Sequence, residues 1–129
     1  MSRLKILSLF IVMTILLPAC SRREVVDEAP EISVEMKVIP SPPAPGPATL
    51  MIQIMDENGV GMGELVIDVR GDMSHAGMTP VIVDAAVGEA GTYVVPFEWT
   101  MAGDWIVSIH ATLPDGRILV RTLPVRVEP

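Results

Sequence analysis

From Ile32 onward, apolar and polar residues alternate with a period of two, and a turn signal breaks the alternation about every ten residues. A helix would need apolar residues spaced by three and four, so this pattern confines the chain to half-buried strands. One inward row is Ile32, Val34, Met36 and Val38, and a second is Leu50, Ile52 and Ile54. Leu65, Ile67 and Val69 form a third that ends at Gly71, followed by Val81 and Val83, then Tyr93, Val95 and Phe97, then Trp105, Val107 and Ile109. In the last row Ile118 and Val120 lead into Leu123, Val125 and Val127, with Pro124 marking an edge strand or a bulge. Turns fall at Asp56-Glu57-Asn58-Gly59, Gly88-Glu89-Ala90-Gly91, Met101-Ala102-Gly103-Asp104 and Pro114-Asp115-Gly116. The fold expected is an all-β, immunoglobulin-like antiparallel β-sandwich of about seven strands, without its disulfide. Strand order is not written in such a pattern.

The first residues belong to a different grammar. Arg3 and Lys5 precede an apolar run over residues 6–17, which is well short of the roughly 20 residues needed to cross a bilayer. The run ends in Leu17-Pro18-Ala19-Cys20, which resembles the lipobox of bacterial lipoproteins. Residues 1–19 are therefore read as a lipoprotein signal peptide, and Cys20 as the lipidated first residue of the mature chain. Residues 20–30 become the anchor and a charged, aperiodic tether, and residues 31–129 the sandwich domain. The expected location is extracytoplasmic, with the chain held to a cell membrane or outer membrane by acyl chains on Cys20. A second irregular stretch, Pro40-Ser41-Pro42-Pro43-Ala44-Pro45-Gly46-Pro47, is expected to be an extended crossover between strands.

Charge narrows the partners. Cleavage removes Arg3 and Lys5, so the 9 basic residues fall by two against 16 acidic ones, a net charge of −9. Such a surface repels nucleic acid and anionic lipid headgroups and attracts cations or a basic protein. Cys20 is the only cysteine. Once it carries lipid, no thiol is left for a disulfide, a nucleophile or a thiolate metal site. No Ser/His/Asp arrangement, Gly-rich phosphate loop or paired carboxylates can be read from the chain, so an enzyme is not expected.

The chemistry that remains is concentrated in Gly71-Asp72-Met73-Ser74-His75-Ala76-Gly77-Met78-Thr79-Pro80, a segment expected to be irregular. Two thioethers and an imidazole within six positions suit Cu(I), whereas magnesium and calcium favour oxygen donors and structural zinc favours thiolates. Met73, His75 and Met78 are the candidate metal ligands, with Asp72 as a carboxylate that orients the imidazole. Met101 and His110 are further candidates. Met101 opens the turn before Trp105 and can instead cover that ring, and His110 alternates out of phase with Trp105, Val107 and Ile109, which points it to solvent. Met62, between two glycines, is a loop plug or a remote ligand, and Met51 and Met55 are read as packing. With nine methionines in the chain, two in one loop also fit a general use of methionine as gap-filler.

The residues His75-Ala76-Gly77-Met78-Thr79-Pro80-Val81, Gly91-Thr92-Tyr93, Phe97 and Met101-Ala102-Gly103-Asp104-Trp105 together resemble the YtkA-like domain, a family related to the FixH proteins. The resemblance spans roughly residues 45 to 112. It implies an extracytoplasmic β-sandwich with a role in copper handling, and its FixH-type relatives are linked to assembly of haem-copper oxidases. The expected function is thus a membrane-anchored protein that binds Cu(I) and delivers it to a respiratory oxidase or similar membrane acceptor. The alternative is a metal-free sandwich that serves adhesion or docks as a subunit of an envelope or membrane complex.

Overall fold

A computed structural model describes residues 25–26, 29–85 and 88–129; the leader 1–19 and Cys20 lie outside the described residues. Every regular element among them is a strand: β1 (Val25–Val26), β2 (Ser33–Ile39), β3 (Gly46–Met55), β4 (Val66–Met73), β5 (Val81–Ala85), β6 (Thr92–Trp99), β7 (Gly103–Thr112) and β8 (Ile118–Val127). One sheet has the order β2-β3-β6 and the other β1-β8-β7-β4-β5. All pairings are antiparallel except β1 with β8. The seven longer strands are those the alternation outlines, arranged as a β-sandwich.

Because successive side chains point to opposite faces, each strand contributes every second residue to the space between the sheets. The three-stranded sheet supplies Leu50, Ile52, Ile54, Tyr93, Val95, Phe97 and Trp99, and the larger sheet Ile67, Val69, Trp105, Val107, Ile109, Leu119 and Val127, all buried. Among the described residues no polar or charged residue is buried. Each aliphatic side chain so enclosed contributes about 1.5–3 kcal/mol relative to an exposed one.

Four local expectations are corrected. The last strand carries its inward row on Leu119, Leu123, Val125 and Val127, with Ile118 and Val120 outward of it. Arg121 occupies the inward position between Leu119 and Leu123 and obscures the phase. It is tolerated because its Nη2 donates to the Ala29 and Ile32 carbonyls at 2.8 and 3.1 Å. The third row does not stop at Gly71 but runs on to Met73, so the first three residues of the segment expected to be irregular are the end of β4. The proline stretch does connect two strands, β2 and its neighbour β3, but it is shorter than expected, because β3 already begins at Gly46. Within the expected tether, Val25–Val26 pair with Ile118 and Leu119, and Ala29 is buried, so ordered chain begins before residue 31. Beyond Leu119 no described residue pairs with the outer edge of β8, which there becomes the edge that Pro124 announces.

Two contacts join the sheets at specific points. The buried Tyr93 hydroxyl donates to the Met62 carbonyl at 2.6 Å and accepts from the Leu65 amide at 3.1 Å, which fixes the β3–β4 connection against β6. Gly71 faces Phe97 so closely that a Cβ there would lie 2.5 Å from Phe97 Cζ. Tyr93→Phe leaves a buried N–H and carbonyl without their partner and is expected to lower stability by about 1–3 kcal/mol in urea unfolding, with the sandwich retained. Gly71→Ala forces the Phe97 ring to shift and is expected to cost about 1–3 kcal/mol in the same measurement, although the new residue is a better strand former.

Candidate metal centre

Antiparallel register decides which residues share an end of the sandwich. Met73, the last residue of β4, lies opposite Trp105 near the start of β7, and Trp105 lies opposite Val125 near the end of β8. In the other sheet Gly46, the first residue of β3, lies opposite Trp99, the last of β6. The turn from Trp99 to Gly103, which contains Met101, therefore crosses between the sheets at the end from which the 74–80 loop leaves β4. Met73, His75, Met78 and Met101 all belong to this end.

The four residues sit at graded depths. Met73 continues the inward row and is 9 % exposed. Its methyl lies 2.8 Å from where a Cβ on Gly103 would stand, and Gly103 has a φ of +137°, so a residue without a side chain is required beside this thioether. Met78 is half-buried and packs on the core, whereas His75 is exposed. Met101 is 38 % exposed, while its carbonyl accepts the Trp105 indole N–H at 3.0 Å. The Ser74 amide donates to the Asp104 carbonyl at 3.0 Å and ties the start of the loop to β7. Gly77, at a φ of +92°, turns the loop between His75 and Met78.

Beneath this end lies an aromatic array. Phe97 and Trp99 have ring centroids 4.7 Å apart, and Trp99 meets Trp105 edge-on at 5.3 Å. The Trp99 indole N–H is buried and has no hydrogen-bond partner among the described residues.

His110 is not part of this group. It lies five residues along β7 from Trp105, about 17 Å at strand spacing, on the outer face of the sheet. There its Nδ1 lies 3.1 Å from Asp68 Oδ1, its cross-strand neighbour. Met62 lies at the opposite end, where its carbonyl holds Tyr93. Asp72 is paired with Arg70 and not with His75: Arg70 donates to both its oxygens, Nε to Oδ2 at 2.7 Å and Nη2 to Oδ1 at 3.0 Å. That hydrogen-bonded guanidinium lowers the Asp72 pKa below the usual aspartate value.

Among the described residues, no group of three or more His, Cys, Asp and Glu side chains is placed to hold a metal ion. The donors collected at the Met73 end are three thioethers and one imidazole, a neutral set that fits a soft monovalent cation and does not fit magnesium or calcium. Gly103, read from the sequence only as part of a turn and of the family pattern, and Trp99 were not among the expected site residues. The Gly-x-Trp spacing of Gly103 and Trp105 marks the first of them, but nothing in the sequence marks the buried Trp99 N–H.

No curated protein matches the chain. Among solved structures, the soluble domain of PmoD from Methylocystis sp. ATCC 49242 (Rockwell) is similar in fold, with a TM-score of 0.52 and 15 % sequence identity. The similarity covers 81 % of this chain and 98 % of that one. The model of the YtkA-like family matches residues 28–110, a stretch that runs from the segment just before β2 to the histidine of β7 and takes in the whole Met/His loop. The chain is a member of the YtkA-like family.

Proposed function

We propose that the Met73 end of the sandwich binds Cu(I) through Met73, His75 and Met78, with Met101 as a further thioether, in a lipid-anchored protein that hands the ion to an acceptor. The observation that carries this is the gathering of those donors at one end: Met73 at the end of β4, His75 and Met78 on a loop pinned at its start and turned by glycine, and Met101 in the neighbouring β6–β7 turn. Thioethers carry no proton at any ordinary pH, so only the imidazole has to be deprotonated before the ion binds. Exposed His75 and Met101 are open to a partner, while Met73 and Met78 are seated on the core. This division suits exchange: an acceptor adds its own ligands from the solvent side before the seated sulfurs let go. Binding and transfer, rather than catalysis, are what such a site offers.

The competing reading is a metal-free docking module. It draws on an open groove of about 610 Å³ between the outer edges of β2 and β8, lined by Val34, Met36, Val38, Leu123 and Val125.

Competition for Cu(I) against a chromophoric chelator separates the two. One-to-one uptake is expected, weakened about tenfold or more, equivalent to 1.4 kcal/mol, by His75→Ala and by Met78→Ala. Met73→Leu, which conserves volume in the core, is expected to weaken it likewise without unfolding the domain. His110→Ala should bind as the unaltered protein does. Uptake that is absent, or indifferent to the substitutions at His75, Met78 and Met73, would favour the docking module.

A further inference from the structure

We infer that the Met/His end faces away from the bilayer that anchors the chain, and so fits an acceptor whose receiving site stands on an extramembrane domain rather than at the lipid surface. This rests on reading Cys20 as the lipidated residue and deepens the delivery reading. The chain enters the fold at β1, where Val25 and Val26 are in register with Ile118 and Leu119, the first two residues of β8. Met73 is in register with Trp105, and Trp105 with Val125, six residues beyond Leu119 on the same strand. At about 3.3 Å per residue, the entry point and the Met73 level are separated by about 20 Å along the strands, and the 74–80 loop lies beyond that. Anchor and candidate donors therefore occupy opposite ends of the sandwich.

The link between Cys20 and Val25 is five residues, which span at most about 17 Å when fully extended. To point the loop end straight at the headgroups, the domain would have to turn end over end, which lifts Val25 more than about 20 Å above the bilayer. The link does not reach that far. It lets the domain rise and tilt, but not invert. A receiving site that demands the loop end pointed straight down at the headgroups is thereby disfavoured, and one held in the aqueous layer, with its own soft ligands facing the membrane or to the side, is favoured.

The experiment uses the full processed chain reconstituted in phosphatidylcholine vesicles that contain a headgroup-labelled acceptor lipid. Cys20 is the only natural cysteine and is taken by lipid, so Ser74→Cys and Asn58→Cys each offer one labelling site, at the loop end and in the β3–β4 turn at the anchor end. Energy transfer to the headgroups is expected to be about twofold or more stronger from position 58 than from 74, given the ~20 Å offset. Inserting about 15 Gly/Ser residues after Ser21 should let the domain invert and bring the two signals together. Equal or stronger transfer from 74 in the unextended chain, a difference indifferent to the insertion, or failure to join vesicles at all would each overturn the inference. Neither label senses copper, so loss of Cu(I) uptake would sink the delivery reading and leave the orientation standing.

Discussion

The described fold depends on two apolar faces fitting together, with its ion pairs confined to the surface. The single cysteine lies outside the described residues, and no charged side chain is buried within them. Stability must then come from the interleaved rows of β3 and β6 against those of β4, β7 and β8, closed by the Tyr93 hydroxyl at one end and by the Phe97–Trp99–Trp105 array at the other. A core of this kind is sensitive to volume, which is why Gly71 and Gly103 matter: each leaves the space that a neighbouring ring or thioether fills.

The same packing explains what the candidate site is made of. A soft-donor site on a small sandwich does not need a cavity. It needs sulfurs with one side on the core and the other toward solvent, and the last inward position of a strand provides that. Met73 is a core residue by alternation and a candidate ligand by position. Its double nature is a consequence of the strand running out just where the sandwich ends.

Most of the fold was legible because period-two alternation is a direct imprint of burial: all seven longer strands and the inward rows of β2, β3, β6 and β7 follow from it. It failed where a residue's chemistry and its place disagree. Arg121 sits on an inward row because two carbonyls receive it, and Met73 looked like loop because Gly71 precedes it. The candidate site was half legible. Sequence proximity picked out Met73, His75 and Met78, but only the register of β4 with β7 sets Met101 at their end and His110 at a distance from it. Likewise, Asp72 stands near His75 in the sequence, yet a strand turns it to the outer face, where Arg70 two residues away claims it.

Both tryptophans of the chain, Trp99 and Trp105, lie in one edge-on pair at the Met/His end. The intrinsic emission of the protein therefore reports almost entirely on that end and is nearly blind to the other. An event that alters the polarity or mobility around the loop would be visible in ultraviolet fluorescence without any label, because both indoles are buried at that end.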